Sequence, residues 1–255
     1  MSKALPTEPP PLELERTALF LDYDGTLVPI APTPDEAVAD GAVLVLLRAL
    51  ERRLGGAMAV VSGRSVADID RMLAPLRLTV AGLHGLELRR HDGAAVVTPD
   101  AADASLARAR TALRLLHDKI PGTLFEDKRL TVALHYRGAP AAEEEARALG
   151  ARLVAESDGA LQLLPGKMVV ELLSAGRDKG RAIGALLELE GFAGRQPVFV
   201  GDDVTDEAGF RVINERGGIS VRVGTTERHT EARWRLADVA ALRRWLELAL
   251  ARDAG

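Results

Sequence analysis

The sequence predicts an α/β protein, a Rossmann-like parallel-sheet core that carries an inserted α+β domain. Three observations lead there. Short apolar runs ending in polar turns, as in TALFLDYDGT, GAMAVVSGR and PVFVGDD, alternate with helix-period segments at both ends of the chain. Between them the order changes to helix, two strands, helix, two strands. With 255 residues, 47% hydrophobic and 27% charged, the chain can bury the cores of two modest domains.

Each element has a local reason. TALFL is too short for a helix and is broken by Asp-Gly-Thr, so it reads as a buried strand. PDEAVADGAVLVLLRALERRL has helical spacing, with Thr33 or Asp35 as the expected cap. MAVV is a second strand, SVADIDRML a helix and LTVAGLHG a third strand, and strands separated by helices point to parallel pairing with crossovers. LELRRHDGAAVVTP is expected to form a hairpin turning at Asp92-Gly93. The insertion is expected over residues 101–175: helix DASLARARTALRLLHDKI, strands in GTLFEDKRLTVALHYR, helix AAEEEARALGARLVAES and strands in ALQLLPGKMVVELL. The core, residues 1–100 and 176–255, then resumes with helix DKGRAIGALLELE, strand PVFVGDD, helix TDEAGFRVINER, strand GISVRVG and a last helix through VAALRRWLELAL.

Composition removes several function classes. A formal charge of −4 offers no overall basic field for nucleic acid or anionic lipid. The absence of cysteine excludes disulfide scaffolds, thiolate metal sites and cysteine nucleophiles. The first residues lack the apolar core of a signal peptide, and no later apolar run reaches the ~18 residues of a membrane span. A cytoplasmic chain that engages neither membrane nor nucleic acid is the expectation.

Four polar turns carry the chemistry. Asp22, Asp24, Gly25 and Thr26 form D-x-D-G-T after the first strand, where ligands of open parallel sheets collect. Ser62-Gly63-Arg64 follows MAVV, Lys179 opens a helix, and Gly201-Asp202-Asp203 with Asp206 follows PVFV. Any one of these has an ordinary structural explanation, as a strand-ending turn, a helix cap or a solvated loop. Together they suit phosphoryl transfer with a divalent ion. A carboxylate approaches a phosphate dianion only with charge compensation, which a hard cation in oxygen ligands supplies, and Mg2+ fits. Asp22 and Asp202 are expected as carboxylate ligands, Asp24 through its backbone carbonyl, and Asp203 or Asp206 through water. Lys179 would sit beside Asp22 and the phosphate, while Ser62 and the N–H groups of the Asp22–Gly25 turn would bind phosphate oxygens. Thr26 buttresses the turn. Asp22 is the expected nucleophile, forming an aspartyl phosphate, and Asp24 the acid and then base.

D-x-D-G-T, a strand-terminal Ser, a Lys and G-D-D-x-x-D in this order resemble the haloacid-dehalogenase phosphatases over nearly the whole chain. That resemblance implies an inserted cap domain that sets specificity. GLHGLELR, EDKRLTVALHYR, GKMVVELL and GDDVTDE are similar to the trehalose-6-phosphate phosphatases in particular. The narrower resemblance implies a small sugar phosphate as substrate, with Glu126, Lys128 and Glu171 binding the glucose ring remote from the phosphate. His135 and Arg137 fall in the same motif, and His84 shapes the pocket rather than ionising. It also implies functional pairing with a trehalose-6-phosphate synthase, and a monomer is expected.

The residues themselves agree in part. Strand alternation puts Glu126 and Lys128 on one face, and Glu171 lies on a strand that can neighbour them. In an arginine-rich chain with five lysines, three of these (Lys128, Lys167, Lys179) stand in motif-like stretches, where a compact ammonium differs from a guanidinium fork. Two departures concern loop geometry: the stretch Ser174–Asp178 lacks the family's usual proline, and Asp178 stands where Ser or Asn is commoner. Competing readings are another sugar phosphate, such as sucrose 6-phosphate or a mannosyl-glycerate phosphate, a mutase using the same aspartyl phosphate, and a catalytically silent sensor.

Overall fold

A computed structural model describes residues 5–31, 33, 36–93, 104–128, 130–164, 166–176, 178–226 and 228–252. The chain divides into two compact units, Met1–Val97 with Asp178–Gly255, and Thr98–Arg177. The first unit begins with β1 (Thr17–Leu21), α1 (Gly41–Arg53), β2 (Met58–Val61), α2 (Val66–Met72), β3 (Thr79–Gly82) and β4 (Glu87–Arg89). The second holds α3 (Ala104–Lys119), β5 (Leu124–Asp127), β6 (Thr131–His135), α4 (Glu143–Ala155), β7 (Leu161–Leu164) and β8 (Val169–Ser174). The first resumes with α5 (Lys179–Leu187), β9 (Gln196–Gly201), α6 (Glu207–Glu215), β10 (Ile219–Val223), β11 (Trp234–Leu236) and α7 (Val239–Arg252).

In the first unit the strands form one sheet in the order β11-β10-β9-β1-β2-β3-β4, parallel except for β4. β1, β2 and β10 are buried along their whole length, the pattern of strands covered on both faces. Register then positions the chemistry. Leu21 at the end of β1 lies level with Val60 of β2 and Val200 of β9. Asp22, Ser62 and Asp202 therefore emerge from adjacent strands at one carboxyl edge of the sheet.

Three local expectations change. α1 starts at Gly41, where Asp40 accepts from the Val43 N–H at 2.8 Å, because the buried apolar repeat begins only at Val43, Leu46 and Leu47. Thr33 instead bonds Glu36, and Asp35 lies outside the described residues. The LELRR arm pairs antiparallel with β3, the turn centres on His91 and Asp92 and is closed by the Gly93 N–H on Arg90 O at 3.0 Å, one residue before the expected place, and the second arm of the expected hairpin lies outside the described residues. β11, a three-residue strand beside β10, had no periodic signal long enough to announce it.

The second unit is an antiparallel sheet in the order β5-β6-β8-β7, with α3 and α4 packed on it and on each other. Its core joins Leu106, Leu113 and Leu116 of α3 to Val132 and Leu134 of β6 and Leu172 of β8. Alternation then turns Ala133 and His135 to the other face. Across that face Glu126, Ala133 and Glu171 are direct partners on three neighbouring strands.

Candidate active site

The D-x-D-G-T turn is shaped to admit a carboxylate from the neighbouring strand. Gly25 has φ +77°, and a Cβ there would collide with the carboxylate of Asp202. Thr26, fully buried, donates its hydroxyl to Asp202 Oδ1 at 3.3 Å, so it buttresses the acid as well as the turn. The N–H of Gly25 is donated to Val28 O at 2.8 Å, which corrects the expectation that it faces phosphate: Gly25 contributes room instead.

Lys179 is the first residue of α5, whose N-cap Asp178 accepts from the Arg181 N–H. Its Nζ lies 2.6 Å from Asp22 Oδ1 and 2.7 Å from Asp206 Oδ1, and its side chain is 3% exposed. Asp206 is completely buried, and its Oδ2 accepts the N–H groups of Asp202 (2.9 Å) and Asp203 (2.8 Å). Gly201 makes space for it, because a Cβ there would meet the Asp206 carboxylate.

Asp22, Asp202 and Asp206 each offer a carboxylate oxygen within 4.8 Å of the other two. Burial pushes Asp22 well above the usual carboxylate range; Lys179 pulls it down, while Asp206 and Asp202 push it further up. Asp202 is pushed up to about 6, by burial first and by Asp206 next. Burial draws the Lys179 ammonium down, yet Asp206 and Asp22 more than offset this and hold it protonated. Three acids against one ammonium in a buried place leave negative charge uncompensated. The all-oxygen donor set suits a hard divalent cation. A divalent ion therefore fits these residues.

Asp24 and Asp203 stand apart from that group. Both oxygens of Asp24 are held by Arg64, through Nε at 2.5 Å and Nη2 at 2.6 Å, and Arg64 also lies over the Tyr23 ring. The Asp203 side chain is 58% exposed, caps the turn Val204–Asp206 and pairs with Arg228 at 3.1 Å, while Asp206 is the one of the two that joins Asp22 and Asp202. Ser62 is buried, and its Oγ accepts the Arg64 N–H at 3.1 Å, leaving the hydroxyl proton to be donated. His84 is buried with φ 57° and fills the space that a Cβ on Gly63 would take. The sequence assigned Arg64 no catalytic role and did not single out Arg228, since neither partnership has a fixed spacing.

In the second unit Glu126 Oε2 lies 3.0 Å from His135 Nε2, at hydrogen-bond distance, and Lys128 Nζ lies 3.5 Å from Glu126 and 3.4 Å from Glu171. Thr131 donates to Glu171 Oε1 at 2.9 Å. Small Ala133 separates the two glutamates, and Lys128, just beyond β5, bridges them. The bond to His135, opposed by burial and helped by Lys128, holds the Glu126 carboxyl below its usual range. Burial pulls the Lys128 ammonium down, but Glu171 and Glu126 raise it on balance. Arg137 is exposed beyond β6 and makes none of these contacts among the described residues.

Comparison with known proteins gives the same direction. Residues 20–240 match the model of the trehalose-phosphatase family. The chain is 40% identical over 244 residues to the trehalose-6-phosphate phosphatase of Escherichia coli (strain K12), covering 95% of this chain and 89% of that one. It is 41% identical over 233 residues to a probable trehalose-phosphate phosphatase of Sinorhizobium fredii, covering 91% and 86%. A crystal structure of a trehalose-6-phosphate phosphatase related protein superposes with a TM-score of 0.76 at 29% identity, over 92% of this chain and 98% of that one. The fold alone is shared with the Candida albicans trehalose-6-phosphate phosphatase C-terminal domain, at TM-score 0.80 and 20% identity over 96% and 99%. A Bacillus subtilis haloacid dehalogenase-like hydrolase matches at TM-score 0.68 and 15% identity, over 90% and 99%. The family match across the chain, with the core site assembled as above, establishes that this chain belongs to the trehalose-phosphatase family.

Proposed function

We propose that this chain hydrolyses trehalose 6-phosphate to trehalose and phosphate with Mg2+, through an aspartyl phosphate on Asp22. The observation that carries the reading is Lys179 clamped between Asp22 and Asp206, with Asp202 seated against Gly25, in a chain of this family. Asp22, Asp202 and Asp206 would hold the ion, with the backbone carbonyl of Asp24, and the ion would supply the positive charge that lets a carboxylate meet a phosphate dianion. Lys179 and the hydroxyl of Ser62 orient phosphate oxygens.

Asp22 attacks phosphorus as the bond to the sugar oxygen breaks. Asp24 protonates that oxygen, then takes a proton from the water that attacks phosphorus and restores Asp22. Arg64 donates to both oxygens of Asp24, so the oxygen that passes the proton has to leave its bond to Arg64. Glu126, Lys128 and Glu171 would accept and donate hydrogen bonds to sugar hydroxyls, with His135 orienting Glu126; Arg137 would contribute from the rim. No helix among the described residues is long and apolar enough to cross a membrane. A cytoplasmic monomer working in sequence with a trehalose-6-phosphate synthase completes the proposal.

The test is phosphate release with Mg2+ from trehalose 6-phosphate, sucrose 6-phosphate and glucose 6-phosphate, with Asp22→Asn as the blank. Preference for the first supports core and sugar readings together. Preference for another keeps the chemistry and discards the substrate. No release from folded protein refutes both.

A further inference from the structure

The connection between β10 and β11 is strapped to the metal-side turn at two places. Arg228 donates through Nη2 to the backbone oxygen of Asp202 at 2.7 Å and through Nη1 to Asp203 Oδ1 at 3.1 Å. Two residues on, the Thr230 hydroxyl (3.1 Å) and the Glu231 N–H (2.7 Å) donate to Glu207 Oε2, at the start of α6. The strap is itself anchored from beneath. Arg222 of β10, opposite Gly201 in the sheet and 2% exposed, donates to Thr226 O at 2.7 Å.

The peptide between Asp202 and Asp203 is thereby gripped on both sides. Its N–H, that of Asp203, goes to Asp206 Oδ2, and its C=O, that of Asp202, goes to Arg228. A peptide unit is planar, so fixing its donor and its acceptor fixes its rotation, and with it the direction in which the Asp202 side chain leaves the chain. We infer that Arg228 is a positioning residue for the divalent ion, acting through the Asp202–Asp203 peptide. The inference rests on the reading of Asp22 and Asp202 as metal ligands.

A brace and a mere charge predict opposite signs. Arg228 neutralises Asp203, so if charge alone mattered, removing it would expose another carboxylate near the ion and tighten binding. If it is a brace, removal frees the peptide and weakens binding. Outer-shell partners of metal ligands are commonly worth about 10–100-fold in affinity or activity. We expect the lower end for one clamp of two, since Asp206 keeps the other.

The experiment is Mg2+ titration calorimetry on the full chain, without substrate, for the wild type, Arg228→Ala, Arg228→Gln, Arg228→Lys and Asp202→Asn, with melting temperatures alongside. We expect affinity about tenfold weaker in Arg228→Ala, and within about threefold of wild type in Arg228→Lys, which keeps a donor for the carbonyl. Arg228→Gln, with a donor but no charge, should lie between. Unchanged or tighter binding in folded Arg228→Ala overturns the inference. Should that variant not fold, tighter binding in Arg228→Gln than in the wild type overturns it equally. Asp202→Asn separates the two readings: if it binds Mg2+ as the wild type does, the metal site itself is misassigned, whereas a loss there with none in Arg228→Ala or Arg228→Gln removes only the brace.

Discussion

Replacing Asp206 by Asn removes a charge without changing shape, and the structure gives the amide no good orientation. Oδ1 takes the Lys179 ammonium and Oδ2 takes two N–H groups, so all three partners are donors. Whichever way an Asn is turned, its NH2 faces either the ammonium or the two amides, and a buried donor then opposes a donor. Breaking one side of a buried ion pair costs about 3–5 kcal/mol. Lys179 keeps Asp22, and loss of the Asp206 charge eases the crowding that raises Asp22 and Asp202, so the expected cost is at the lower end, about 3 kcal/mol. For a protein of this size about 1 kcal/mol corresponds to roughly 2–4 °C, which puts the fall in melting temperature at about 6–12 °C. Thermal unfolding followed by circular dichroism, with chelator present, measures it. A fall below about 2 °C, or Asp206→Asn much milder than Asp206→Ala, would show that the two-sided grip of Asp206 does not hold the turn.

Other consequences are open to similar tests. Arg64→Ala should lower turnover of a sugar phosphate, whose leaving oxygen needs a proton, by about 10–100-fold while sparing p-nitrophenyl phosphate, whose leaving group does not; equal losses on the two would separate Arg64 from the acid role of Asp24. Glu126→Ala should reduce kcat/KM on trehalose 6-phosphate by about 100-fold and on the aryl phosphate by less than about threefold, a comparison that fails if both fall together. Asp202 in the metal-free protein has its acid strength weakened from 3.8 to about 6, so the stability it contributes is present below the first value and lost as pH rises through the second. The gain in melting temperature on adding Mg2+ should accordingly be larger at pH about 7.5 than at pH about 5, and a flat or reversed dependence would refute that sign.

Much of this architecture was legible because the informative strands are short, wholly apolar and closed by polar turns. Asp22, Ser62 and Asp202 each stand at such a boundary, and parallel register brings their ends level. Ser65 and Asp178 could be read as helix starts because a cap needs only a local side-chain oxygen. The start of α1 was misjudged because the acidic residues ahead of Gly41 look like a first turn, although burial begins only at Val43. Arg64 with Asp24, and Arg228 with Asp203, were invisible for a different reason. Each pair joins segments that only the folded sheet brings together, and in a chain so rich in arginine one guanidinium looks like another. The bond between Glu126 and His135 was not read either, although two adjacent antiparallel strands carry both.

The sheet order has a consequence for how the molecule is made. β1 precedes the other strands of its sheet in the sequence, yet it is central, flanked by β2 and by β9, whose Val200 lies beside Leu21. Until β9 leaves the ribosome, one edge of β1 has no partner, and the buried cluster of Asp22, Lys179 and Asp206 is incomplete. The whole second unit is translated in that interval, and the antiparallel pairings of its sheet all fall within it. Contacts spanning so much sequence close late, so nascent chains stopped before Gly201 should hold a finished insertion beside an open, pairing-hungry strand.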